Sequence, residues 1–249
     1  MLMISTKIKP VLILLLLTIS TEFNLFAQDS TSFKEQITAK SVIDKYFEAI
    51  GGKELYSKVK DRVIYFSGTS LGQNISVTIM QKTPHKFFQE VVAGETHQKK
   101  YYDGKNGALI LGDNEIDIDG TELESLQIDA SMDFLLNPQK YNVKVEFGGK
   151  EMCDSVECKK LKMILPSGNI WFQYFDSLTD LRKKETKVIQ TPTGNYDQTT
   201  YYSNYKNVDG LNFPFKIKQI LGAQITVLNV DSIKINTGLP DSIFTIPEL

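Results

Sequence analysis

The chain has 249 residues, 28 basic and 30 acidic side chains, a net charge of −2, 41% hydrophobic and 23% charged residues. This length suits a leader and one domain, or at most two small ones, and the composition is that of an ordinary globular protein. No basic excess marks a nucleic-acid surface, and Arg62 and Arg182 are the only arginines, so the bidentate fork that favours phosphate recognition is scarce.

In chain order, Lys7 and Lys9 precede the apolar run from Val11 to Ile19, and Leu25 and Ala27 then occupy the cleavage positions before Gln28. That is the order of a secretory signal peptide. The run falls short of the roughly 18 apolar residues a membrane-spanning helix needs. Residues 1–27 are expected to be a cleaved leader, 28–37 a loose polar segment and 38–249 a single domain.

Thr38 to Ile50 reads as an amphipathic helix with Val42, Ile43, Tyr46, Phe47 and Ile50 on one face. Gly51-Gly52 stops it, and a short helical piece follows over Lys53 to Val59. Strands are predicted over 63–69, around Ile75, Val77 and Ile79, and over 86–92, 95–102 and 108–111. Turn signals between them recur at short spacing, as in an antiparallel meander. Glu122 to Leu136 has approximate helical spacing before Asn137-Pro138.

A second block of strands follows. Val143, Val145 and Phe147 alternate with polar residues, as do Leu161, Met163 and Leu165; Ile170 to Phe175, Leu181 to Ile189 and Asp197 to Tyr205 come next. The clearest hairpin spans Thr200 to Lys218, turning at Asp209-Gly210, with Leu211, Phe213, Phe215 and Ile217 on one face. Ile225 to Ile235 is the last strand. The pattern gives α+β architecture, with antiparallel strands that are greasy on one side.

Catalytic and metal signatures are missing. Asp113 to Glu124 looks calcium-like, but placing Gly120 sixth in the loop puts Leu126 where the bidentate Glu should stand; it reads as an acidic solvated hairpin. His85 and His97 stand apart from each other and from cysteine. No Gly-x-Ser-x-Gly elbow or phosphate-cradling glycine loop is present. No catalytic residue, metal or cofactor is assigned. Cys153 and Cys158 flank a short hairpin turn; a disulfide is expected after export, against the alternative of two free thiols too far apart or misdirected.

The helix ending Ala49-Ile50-Gly51-Gly52, Phe66 and Gly68 in the first strand, Lys82-Thr83-Pro84-His85-Lys86-Phe87, Tyr102-Asp103-Gly104, Tyr205 to Gly210 with Phe213-Pro214, and Ile235-Asn236 occur in an order that spans the mature chain. In this order the sequence resembles the outer-membrane lipoprotein-sorting family, the LolA/LolB-like proteins. The resemblance implies a strongly curved antiparallel sheet, an incomplete β-barrel, with helices packed in its concave face. It also implies a periplasmic, non-catalytic carrier of a lipid or acylated polypeptide.

The expected hydrophobic cavity is lined by Phe66, Ile75, Val77 and Ile79 from the first block and by Leu161, Met163, Leu165, Phe213 and Phe215 from the second. The alternative is a protein-interaction module whose core is filled by its own helices and whose partner is another envelope protein. A monomer without nucleic acid is expected in either case.

Overall fold

Thr38 opens the first helix, α1 (Ala39–Ala49), with a reciprocal cap: its Oγ1 accepts from the Ser41 amide at 3.1 Å, and Ser41 Oγ accepts from the Thr38 amide at 3.0 Å. Such a cap is worth about 1 kcal/mol. The computed structural model describes residues 37–191 and 194–248, all within one compact unit. The expected leader and its cleavage site lie outside the described residues.

The helical stripe read from the sequence is buried, with Val42 and Phe47 each 1% exposed. Gly51 ends the helix at φ +116°, where a Cβ would lie 2.3 Å from the Gly210 carbonyl oxygen. The chain can therefore approach the Asp209-Gly210 turn only without a side chain. Beyond that turn, Asn212 donates its amide to Ile50 O and its Nδ2 to Ala49 O, both at 2.9 Å. Two stretches far apart in sequence thus cap each other. A one-turn helix, α2 (Lys53–Ser57), follows.

The first run of strands is β1 (Asp61–Ser70), β2 (Gln73–Lys82), β3 (Lys86–Ala93), β4 (Thr96–Tyr102), β5 (Gly107–Leu111) and β6 (Asn114–Ile118). After helix α3 (Gly120–Ala130) come β7 (Lys144–Cys153), β8 (Val156–Ile164), β9 (Ile170–Asp176) and β10 (Arg182–Thr191), then β11 (Gly194–Val208), β12 (Leu211–Leu221) and β13 (Gln224–Ile235). They form one 13-stranded antiparallel sheet in the order β6-β5-β4-β3-β2-β1-β13-β12-β11-β10-β9-β8-β7. Two meanders are joined where β1 pairs with β13. β6 and β7 are the edges and do not pair, so the sheet stays an open half-barrel.

Two predicted elements differ. The middle helix ends at Ala130 instead of Leu136: Ser131 turns extended, and its Oγ donates back to Gln127 O at 2.6 Å. The apolar residues beyond continue the spacing but serve different surfaces, Met132 packing with Phe66 and Phe213 while Phe134 and Leu135 join Phe47 and Trp171. The acidic stretch is only partly a hairpin. Asn114–Ile118 pairs with β5, and Asp119 already stands at the start of α3.

The convex side has its own order. Register aligns Lys160, Tyr174, Lys184, Tyr201 and Lys218 in a row across β8 to β12. Lys184 Nζ lies 4.0 Å from the Tyr174 ring centroid and Lys160 Nζ 5.4 Å from it. Farther along this side, the C-terminal segment lays Leu239 and the fully buried Phe244 on Val63. Buried Asp61 holds the segment, accepting from the Thr237 amide at 2.7 Å, Thr237 Oγ1 at 2.8 Å and the Gly238 amide at 2.9 Å. Burial works against the carboxylate, but these hydrogen bonds outweigh it and keep Asp61 below its ordinary range.

Candidate ligand-binding face

Strand register sorts the concave face into three regions. Over β7 to β9 it is closed. Leu161 and Met163 have no accessible surface, Leu165 and Trp171 keep 2%, and Phe175 none. They pack against Val42, Ile43, Phe47 and Ile50 of α1 and against Phe134, Leu135 and Tyr141 of the loop after α3. Three of the residues expected to line a cavity, Leu161, Met163 and Leu165, are therefore covered by the protein's own helix and loop.

Over β12, β13, β1, β2 and β3 the cover is thinner. Phe66 pairs with Val77 and Val230, Ile64 with Ile79, and Ile217 with Leu228 and Tyr202, so these residues share the concave side. Phe66, Ile75, Val77 and Phe213 are buried, with Met132 and Leu211 packed among them. Ile79, Val91, Phe215, Ile217 and Leu228 adjoin the same cluster but are only half-buried. Here an apolar concave surface stays accessible.

Between these regions stands a polar wall on β9 to β11. Glu185 is opposite Gln173 on one side and Thr200 on the other, which sets all three on the concave face. Gln173 Nε2 donates to Glu185 Oε2 at 2.7 Å. A register shift near Arg182 brings that residue opposite Phe175, and its guanidinium carbon lies 4.2 Å from the Tyr202 ring centroid. Its Nη1 is 3.7 Å from Glu185 Oε2, beyond hydrogen-bond reach. Lys187 Nζ lies 4.5 Å over the Trp171 ring and pairs with the Asp129 carboxylate of α3 at 2.7 Å.

Burial opposes the charge on Arg182 and on Lys187, but their surroundings prevail. The Glu185 carboxylate helps to raise Arg182 above its ordinary range, and Asp129 with Glu185 raises Lys187. Both side chains therefore carry full charge at neutral pH. Burial pushes the Tyr46 and Tyr202 hydroxyls upward, so these rings stay neutral. The sequence reading assigned none of Gln173, Arg182, Glu185, Lys187 and Tyr202. The one usable signal was Gln173, a polar residue placed by alternation between Trp171 and Phe175 on a greasy face.

Helix α3 spans the open side between the two sheet edges. Gln81 Nε2 on β2 donates to Asp129 O at 2.7 Å, and Arg62 Nε donates to Gln81 Oε1. Lys187 holds the same residue from β10, and the Ser167 amide donates to Glu124 at 2.9 Å. Both meanders thus grip α3. A separate cleft of about 380 Å³ lies by α2, bounded by Tyr56, Val59, Thr83, Met132, Leu136 and Lys140.

Cys153 and Cys158 are buried on the opposite, convex side with Tyr174. The expected bridge is not formed in this structure; both thiols are free. Cys153 stands opposite Val156 and Cys158 opposite Glu151, so the two are diagonal neighbours. The two thiols lie within hydrogen-bonding reach of each other. Among the described residues no group of His, Cys, Asp or Glu could hold a metal ion.

No protein-family model matches the sequence, and no curated protein matches it. Solved structures do. A LolA superfamily protein from Nitrosomonas europaea is 15% identical with a TM-score of 0.55, over 85% of this chain and 99% of that one. A DUF1329 family protein from Desulfovibrio piger is 15% identical with a TM-score of 0.55, over 83% and 97%. An outer membrane lipoprotein-sorting protein domain from Vibrio parahaemolyticus is 10% identical with a TM-score of 0.53, again over 83% and 97%. The chain has a LolA-like fold: an antiparallel half-barrel with helices in its concavity.

Proposed function

We propose that the protein is an exported, periplasmic binding protein that takes an acyl chain, from a lipid or an acylated polypeptide, against the concave face of β12, β13 and β1 to β3. The observation that carries this is the accessible apolar surface of Ile79, Val91, Phe215, Ile217 and Leu228 beside the buried cluster. An apolar concavity with few polar groups is the general form of a small-molecule site. Each ligand CH2 moved from water onto such a surface contributes about 0.8 kcal/mol, so a chain of many carbons offsets the cost of ordering it. The LolA-like fold and the lipoprotein-sorting name of one structural neighbour agree with this reading.

The second reading, an interaction module with a self-filled core, draws on the flush packing of Leu161, Met163 and Phe175 under α1. One experiment separates the two. Delipidated protein is titrated with a fluorescent fatty-acyl probe, and material purified from its own envelope is examined by native mass spectrometry. Saturable binding that weakens in Phe215→Ala supports acyl binding. No saturable binding and no co-purified lipid leaves the interaction module.

A further inference from the structure

The acyl-binding proposal says what covers the apolar half of the concave face but gives no role to the charged wall beside it. That wall is costly. Trp171 and Gln173 are 2% and 3% exposed, yet among the described residues Trp171 Nε1 and Gln173 Oε1 have no hydrogen-bond partner, and neither has the buried Nε of Arg182. A buried donor or acceptor left unmade costs about 1–3 kcal/mol. An acceptor answers only the two donors, Trp171 Nε1 and Arg182 Nε, and of these only Arg182 belongs to a side chain with appreciable accessible surface.

The surrounding groups narrow what would satisfy them. Arg182 and Lys187 are both cations on the concave side of β10. Lys187 is already paired with Asp129, whereas Arg182 faces the Tyr205 hydroxyl and, at 3.7 Å, a Glu185 carboxylate that Gln173 engages. The guanidinium Nε is unpartnered among the described residues, and the side chain keeps 22% of its surface accessible. Tyr202, stacked on Arg182, is opposite Ile217 of the apolar surface. The charged wall and the greasy surface are therefore adjoining strands of one concavity.

We propose that this wall is the head-group subsite for the acyl ligand: an anionic, hydrogen-bond-accepting head, carboxylate or phosphate, sits at Arg182 while its chain runs over Ile217 toward β13 and β1. The inference rests on the acyl-binding reading and adds the polarity and direction of the ligand. Charge-assisted hydrogen bonds to a guanidinium are stronger than neutral ones, so the site discriminates between an acid and its ester of equal length.

The test uses the delipidated full-length mature protein and four competitors of the fluorescent acyl probe: palmitic acid, its methyl ester, acetate and inorganic phosphate. The expected result is that the acid competes about tenfold better than the ester, while acetate and phosphate do not compete at matching concentration. Arg182→Lys keeps the charge but loses the fork, and is expected to narrow the acid-to-ester ratio while ester binding stays at the parental level. If acid and ester compete equally in the parent, the head-group subsite is overturned and acyl binding stands. Failure of both acid and ester to compete overturns the subsite and the acyl-binding reading together. Competition by acetate or phosphate as strong as the acid's overturns the amphiphile and makes the wall a free-anion site.

Discussion

Two stretches of the concave face follow the same rule in sequence and meet different fates. Leu161 and Met163 on β8, with Leu165 just beyond it, alternate as cleanly as Phe213, Phe215 and Ile217 on β12. The first set is sealed under α1, with Met163 wholly buried; in the second, Phe215 and Ile217 are half-buried. Alternation determines which side of a strand is greasy, and the placement of two helices determines which greasy side remains for a ligand.

Met163→Ala and Ile217→Ala test that difference directly. Met163→Ala should cost about 2–5 kcal/mol, since it empties a close-packed site. Chemical denaturation should show this, with acyl-probe affinity of the folded fraction unchanged. Ile217→Ala should cost about 1 kcal/mol, in keeping with its partial burial, and should weaken the probe. Equal stability loss at both positions with no effect on the probe would erase the distinction between the two surfaces.

A second substitution attacks the cover of the closed region. Gly51→Ala forces a side chain onto φ +116° and into the Gly210 carbonyl at 2.3 Å. Backbone strain of this kind costs about 1–3 kcal/mol before the clash is counted. Because Asn212 couples this turn to the end of α1, loosening it should expose the surface around Met163. The expected outcome is a lower melting temperature together with more probe sites per molecule. Destabilisation with unchanged stoichiometry would mean that α1 does not act as the cover.

Asp61 supplies the control on the convex side. Its folded-state pKa lies below the ordinary carboxylate value, so its stabilising hydrogen bonds are fully present above about pH 4 and are lost as pH falls through the lowered folded value. Asp61→Asn should remove that part of the acid dependence and cost about 1–3 kcal/mol at neutral pH. Probe affinity should not change, because the segment it holds packs on Val63, away from the concave face. Denaturation curves at neutral and acid pH, read beside probe titrations, check both halves of this expectation.

The sequence carried the regular elements well because their signals are local. Thr38 and Gly51 bounded α1, and Asp209-Gly210 announced the hairpin. It carried the open half-barrel through the order of weak motifs, two of which the fold brings into contact at Gly51 and Gly210. The polar wall was illegible for a physical reason. Arg182 to Lys187, a run of six residues with five charges, has the look of a solvated strand, and a register shift between Arg182 and Lys184 sets Arg182, Glu185 and Lys187 on the same, concave side. The end of α3 was missed because Met132, Phe134 and Leu135 keep helical spacing while packing into two separate clusters. The accessibility of Ile217 against the burial of Met163 has no local signature at all.

The smallest effect is expected behind the closed region, where Cys153 and Cys158 sit under the β7–β8 hairpin. Burial first, and then the neighbouring Cys153 thiol, push the Cys158 thiol up to about 12. The thiolate is the reactive form, so at neutral pH this sulfur is a poor nucleophile for exchange or alkylation. The folded protein should therefore keep both thiols, which alkylate only after denaturation. Even a formed bridge would close a loop so short that its entropic contribution is at the low end for disulfides. Intact-mass analysis without reductant decides the matter. Two alkyl groups added after unfolding support the free pair, while a mass lower by two hydrogens and no alkylation would restore the bridge. Replacing both residues with Ala should leave acyl-probe binding at its parental value, because the pair faces Tyr174 on the convex side.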